Sequence, residues 1–130
     1  MKGPRHLLDA SALLALLQGE AGCDRVELLL DRAAIHSFNL AEVLSKLLRS
    51  GVPNAENLVA SLQVEVIAEF SATEAAACAR LHAATRGHGL SMGDCVCLSV
   101  AKGLGITAVT AERVWEVAVA GTGTHIECVR

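Results

Sequence analysis

His6-Leu7-Leu8-Asp9-Ala10-Ser11-Ala12-Leu13 decides the architecture, because a short apolar run ends on an acid and passes at once into residues of helical spacing. Read outward from there, short apolar runs alternate with longer helical segments, the pattern of an α/β domain around a mostly parallel sheet. His6 to Leu8 read as a first strand, Ser11 to Gln18 as a helix, and Gly22 to Asp31 as a second helix with Val26, Leu29 and Leu30 on one face. Ala33 to Ser37 make the next strand, followed by a helix from Asn39 to Arg49 that Gly51 stops. Pro53 starts a helix to about Leu62, Val64 to Ala68 form a strand, and an alanine-rich helix runs from Thr73 to Arg86. The loop Gly87-His88-Gly89 leads to a helix from Gly93 to Lys102, closed by Gly103 and Gly105. Ile106 to Val109, Glu112 to Val119 and His125 to Val129 complete the series as strand, helix and strand.

The chain has 130 residues, enough for one hydrophobic core and too few for two ordinary ones, so a single domain over 1–130 is expected. Apolar residues make up 52% and charged residues 19%, a folded and helix-rich composition. Runs such as Ala12 to Leu17 and Val96 to Ala101 stop well short of the roughly 20 residues a membrane-spanning helix needs. Lys2 and Arg5 precede Leu7 and Leu8, but Asp9 interrupts the apolar core a signal peptide requires, so a cytoplasmic protein is expected. Five cysteines without framework spacing suit reduced thiols. A net charge of -3 argues against wholesale electrostatic wrapping of nucleic acid, while permitting a site where metal ions meet phosphate. Aromatics at 2% disfavour recognition by base stacking.

Open parallel sheets bind ligands beyond the carboxyl ends of their strands, so acids at those points stand out. Asp9 follows the first strand directly, Glu42 sits one turn into the helix after the second, and Glu112 follows the fourth by two residues. Asp94 opens a helix whose preceding loop reaches the same edge. Each acid alone is explained by helix capping: Asn39-Leu40-Ala41-Glu42 resembles a capping box, Ser91-Met92-Gly93-Asp94 has similar spacing, and Thr110 caps the helix that Glu112 begins. Four such acids at one edge would crowd negative charge into one pocket, which calls for cations or raised pKa values. Mg²⁺ supplies that compensation through oxygen ligands and shared substrate phosphates, and the chemistry implied is phosphodiester hydrolysis.

Four pieces in this order, covering nearly the whole chain, are similar to the PIN-domain family and in particular its VapC-type toxin branch. They are Leu7-Leu8-Asp9-Ala10-Ser11-Ala12-Leu13, Asn39-Leu40-Ala41-Glu42-Val43, Leu90-Ser91-Met92-Gly93-Asp94-Cys95 and Val109-Thr110-Ala111-Glu112-Arg113-Val114-Trp115. The resemblance implies a three-layer α/β/α sandwich and a Mg²⁺- or Mn²⁺-dependent endoribonuclease, often acting on transfer or ribosomal RNA. It further implies inhibition by a small cognate antitoxin, and a homodimer. Asp9, Glu42 and Asp94 match the family's three core acids, with Ser11 and Thr110 as supporting hydroxyls. At position 112 the family usually has Asp, and this chain departs from it with Glu112. On that reading Asp9 and Asp94 bind the principal metal, Glu42 and Glu112 orient metal-bound waters or a second ion, and Arg113 either contacts the RNA backbone or is a solvated helix-start arginine.

Other residues have plainer readings. Cys95 and Cys97 are two apart on a predicted helix, point to different faces and form no compact chelate. The histidines lack zinc-site spacing, with His88 before Asp94 the one worth testing. Gly103-Leu104-Gly105 and Gly121-Thr122-Gly123 read as a helix stop and a turn. The leucine faces at Leu13, Leu16, Leu17 and from Leu40 to Leu48 are core, with part left for a partner chain. A response-regulator receiver would pair acids after the first strand, and a haloacid-dehalogenase phosphatase would place Asp where Ser11 stands. The alternative from another class is a PIN-like module that binds RNA or protein without catalysis.

Overall fold

The computed structural model describes residues 3–130, so Lys2 lies outside the described residues. Five strands, β1 (His6–Leu8), β2 (Ala33–His36), β3 (Glu65–Ile67), β4 (Thr107–Thr110) and β5 (Ile126–Cys128), form one all-parallel sheet in the order β3-β2-β1-β4-β5. The helices are α1 (Ala10–Gln18), α2 (Cys23–Leu29), α3 (Ser37–Arg49), α4 (Ala55–Ala60), α5 (Ala72–Ala84), α6 (Met92–Leu104) and α7 (Val114–Ala118).

Alternation along the strands sorts these helices into two layers, since successive side chains point to opposite faces. Leu7 pairs with Ala34 and Ala108, and this face packs against Cys78 of α5, Val96, Cys97 and Leu98 of α6, and Trp115 of α7. Leu8 pairs with Ile35 and Val109 on the other face, against Leu13 of α1, Val26 of α2, Val43 and Leu47 of α3, and Val59 of α4. The expected three-layer α/β/α sandwich is therefore the fold, with the central strands buried on both faces.

Several helix starts differ from the sequence reading. α3 begins at Ser37 rather than Asn39, because His36 Nδ1 accepts the Phe38 amide at 3.0 Å and caps it. Asn39 is thus an interior residue of α3 and not its cap, which overturns the capping box read at Asn39 and Glu42. α4 begins at Ala55, after Asn54 takes a left-handed conformation at φ 54° that ends any helix from Pro53. α6 runs through Gly103 to Leu104, where Gly105 at φ 70° sends its amide back to Ala101 and Lys102. α7 begins at Val114, so Glu112 lies in the turn before the helix.

The strand order places a topological switch between β1 and β4, because the chain travels outward from β1 through β3 and returns to β4 on β1's other side. Such a switch opens a crevice at the carboxyl ends of the two strands, the habitual ligand site of open α/β sheets. Asp9 follows β1 and Thr110 ends β4, so both stand at its mouth.

Candidate metal centre

Asp9 caps α1 and is held from several sides. Its amide donates to Val109 O at 2.9 Å, tying the end of β1 to β4. Its Oδ1 accepts the Ala12 amide at 2.8 Å, the N-cap bond that starts α1. Ser11 Oγ lies 2.8 and 2.9 Å from the two carboxylate oxygens, and Thr110 Oγ1 donates to Oδ2 at 2.7 Å. The same two hydroxyls accept from the turn that follows β4: Ser11 Oγ takes the Ala111 amide at 2.9 Å, and Thr110 Oγ1 takes the Glu112 amide at 3.0 Å. Each hydroxyl has one proton, and both are directed to Asp9, so their own contact at 3.2 Å has none to share. Ser11 and Thr110 therefore fix Asp9 and the backbone of Glu112 together.

Asp94 enters from the other layer. A complete capping box holds it, with Ser91 Oγ accepting the Asp94 amide at 3.1 Å and Asp94 Oδ2 accepting the Ser91 amide at 2.9 Å. One ligating oxygen each from Asp9, Asp94 and Glu112 lies within 4.8 Å of the other two. Asp9 is buried, Asp94 half-buried and Glu112 exposed, so the cluster runs from the sheet edge to solvent.

Glu42 does not join that group. Its carboxylate accepts from Asn39 Nδ2 at 2.9 Å and rests against Gly93, the residue before Asp94. Arg113 is exposed and pairs with no acid: among the described residues the only ion pair joins Arg25 of α2 to Glu127 of β5 at 2.6 Å. Asn39 and Gly93 were not picked out as site residues from sequence, and the apparent capping box that engaged Asn39 hid its contact with Glu42.

The electrostatics follow first from burial and then from the crowding of acids. Burial pushes the Asp9 carboxyl up to about 7, against the opposing hydrogen bonds from Thr110, Ala12 and Ser11, and Glu112 adds to the rise. Glu112, though its side chain reaches solvent, is raised too, first by the protein packed around its carboxyl and then by Asp94 and Glu42. The Trp115 indole lies near enough to offset part of that rise, although its buried N–H makes no full hydrogen bond.

This donor set fits a hard divalent ion. It is all carboxylate oxygen, without the thiolate or imidazole of a zinc site. Oxygens around Mg²⁺ at about 2.1 Å stand roughly 3 Å apart when adjacent and about 4 Å when opposite. Oxygens that all lie within 4.8 Å of one another are close enough to converge on one such ion. Asp9 receives three of the roughly four hydrogen bonds a carboxylate can accept, which leaves a direction for a metal. A cavity of about 500 Å³ between α5 and α6, lined by Arg80, Leu81, Leu98 and Lys102, does not include these acids.

Cys95 and Cys97 are both buried, with Cys97 Sγ 3.6 Å from Leu7 O and Cys95 Sγ 3.9 Å from Thr85 Oγ1. Burial pushes the Cys95 thiol up to about 11 and the Cys97 thiol well above its ordinary value, so neither is a ready nucleophile. His88 is exposed in a short 3₁₀ turn, while buried His36 serves as the α3 cap.

Among known families, the model described as "PIN domain" matches residues 6–119. A toxin-antitoxin complex from Klebsiella pneumoniae contains a chain with 17% identity and a TM-score of 0.70, covering 96% of this chain and 98% of that one. DNA-bound VapBC from Salmonella typhimurium gives 21% identity and a TM-score of 0.70, over 98% and 99% of the two chains. VapBC2 from Rickettsia felis, bound to a promoter DNA fragment, gives 22% identity and a TM-score of 0.66, over 95% and 97%. No curated protein matches in sequence.

Proposed function

The chain belongs to the PIN domain family, and from that premise we propose that residues 1–130 act as one metal-dependent endoribonuclease domain hydrolysing RNA phosphodiesters, as the toxin of a toxin-antitoxin pair. The observation that carries this reading is the meeting of Asp9, Asp94 and Glu112 carboxylates at the sheet's switch point with no cationic side chain paired to them. Three converging acids are an unfavourable arrangement in themselves, and a divalent ion removes the repulsion.

When bound, Mg²⁺ or Mn²⁺ supplies a Lewis acid for the phosphate and lowers the pKa of an attacking water. Asp9, Asp94 and Glu112 would hold the ion, and Glu42, outside that trio, would orient water or a second ion. Ser11 and Thr110 hold Asp9 in one rotamer and tie it to the backbone of Ala111 and Glu112, so Asp9 is pre-set for a metal. On this reading Arg113, exposed beside Glu112, contacts an RNA phosphate. Transfer or ribosomal RNA is the substrate class, a small cognate antitoxin the inhibiting partner, and a homodimer the assembly. The similar Klebsiella pneumoniae chain comes from a toxin-antitoxin complex and two others from VapBC assemblies, which supports the partner part of this reading. A cytoplasmic location accords with it, and among the described residues no helix is long and apolar enough to cross a membrane.

Cleavage of single-stranded RNA with Mn²⁺, compared between wild type and Asp94→Asn, tests the proposal. The asparagine keeps an oxygen for the Ser91 amide and so the α6 cap, while the charge is lost. Metal-dependent products should vanish with the fold unchanged by circular dichroism. Undiminished cleavage by Asp94→Asn would reject the assignment, and RNA binding without Mn²⁺-dependent products from the wild type would leave a non-catalytic binding module.

A further inference from the structure

Glu42 falls outside the trio of Asp9, Asp94 and Glu112 but is near enough to raise the Glu112 carboxyl, and two neighbours fix where it stands. Asn39 lies one turn before it on α3 and is 1% exposed. Its Nδ2 donates to Glu42 Oε1 at 2.9 Å and to the Gly93 carbonyl at 3.0 Å, so one amide group ties α3 to the first turn of α6. Reversing that amide would turn its oxygen toward two acceptors, so the partners dictate its orientation. On the far side, a Cβ built on Gly93 would fall 2.6 Å from Glu42 Cδ and closer still to both carboxylate oxygens. Gly93 is not among the positive-φ glycines, so its backbone does not require glycine. Glycine also weakens a helix, and what it provides here is room for the Glu42 carboxylate.

We propose that Asn39 and Gly93 are positioning residues that seat the Glu42 carboxylate against the first turn of α6, beside the trio, where it acts on a water or a second divalent ion. The seat rests on the nuclease reading above. Asn39 aims the carboxylate by donating to one oxygen, and Gly93 leaves the space it fills. Either change should therefore dislodge Glu42 while all four acids remain in the chain.

The test is Mn²⁺ titration of the full chain, followed by the electron paramagnetic resonance of free Mn²⁺. Wild type, Gly93→Ala, Asn39→Ala, Glu42→Ala and the pair Gly93→Ala/Glu42→Ala are compared, with a thermal unfolding curve for each. Each single variant should weaken Mn²⁺ binding by roughly 10- to 100-fold. The pair should bind no more weakly than Glu42→Ala alone, because both changes remove the same carboxylate from its place. A merely structural role would lower unfolding temperature without this non-additivity. Should Gly93→Ala fail to fold, the same cycle with Asn39→Ala and Asn39→Ala/Glu42→Ala gives the answer. Unchanged affinity in the folded single variants, or losses that add in the pair, overturns the seat while the nuclease reading stands. Absence of any Mn²⁺ binding by wild type overturns the nuclease reading and the seat with it.

Discussion

Asp9→Asn should stabilise the metal-free protein, although it removes a proposed metal ligand. The Asp9 carboxyl is raised from 3.8 to about 7 mainly by burial. At pH below 3.8 the folded and unfolded chains both hold this proton, and Asp9 imposes no penalty. As pH rises toward 7 the unfolded chain releases the proton while the folded chain keeps it, so wild-type stability falls through that window and levels off above it. Asparagine carries no such dependence. Between pH 5 and pH 8 the stability gap between variant and wild type should widen by roughly 3 kcal/mol, about 10 °C in Tm for a domain of this size. The amide can keep the Ala12 cap through Oδ1, and the Ser11 and Thr110 hydroxyls can rotate to accept from its NH₂. Thermal unfolding in a chelator at the two pH values reads the effect. Adding Mn²⁺ at pH 8 should raise the wild-type Tm and leave the variant unmoved. Parallel pH profiles for the two proteins, or a variant less stable than wild type at pH 8 without metal, would refute the claim that buried, uncompensated charge dominates this site.

Three further outcomes follow from the same geometry. Mn²⁺ affinity should climb as pH rises toward 7 and flatten beyond it, because binding displaces the Asp9 proton; calorimetry in buffers of different ionisation enthalpy measures that release, and none at pH 6 would contradict it. Thr110→Val removes both the donor to Asp9 Oδ2 and the acceptor for the Glu112 amide, so Mn²⁺ binding should weaken roughly 10- to 100-fold. An unaltered binding isotherm for that variant would show that the hydroxyl is dispensable. Ser91→Ala breaks the α6 capping box and should cost about 1 kcal/mol in denaturant unfolding, with Asp94 freed from one of its restraints.

The layers of the fold were legible because hydrophobic period is a local property. Leu7 and Leu8 mark a strand buried on both faces, and the five strands fall within a residue or two of their expected positions. Helix starts were less legible, since they depend on which nearby group satisfies the first free amides. At α3 a histidine ring does so in place of the asparagine that composition favours. At α7 the Ser11 and Thr110 hydroxyls occupy the amides of Ala111 and Glu112, and the helix waits until Val114. One partner in that arrangement lies about a hundred positions away along the chain, out of reach of any local pattern.

Capping and metal binding are not alternatives for the same acids: Asp9 and Asp94 do the first in a geometry that suits the second. A carboxylate that caps a helix has one oxygen pinned to a backbone amide, which fixes its rotamer and aims its remaining lone pairs. Two caps on opposite layers, at the ends of elements that meet at a switch point, then direct those lone pairs into a common space. Helix capping is thus the device by which the sequence orients the cluster. Glu42 lacks a cap to hold it, since it lies inside α3, and a side-chain amide and a missing Cβ fix its place instead. That difference sets its restraint apart from those of Asp9 and Asp94, and no spacing of acids along the chain could have disclosed it.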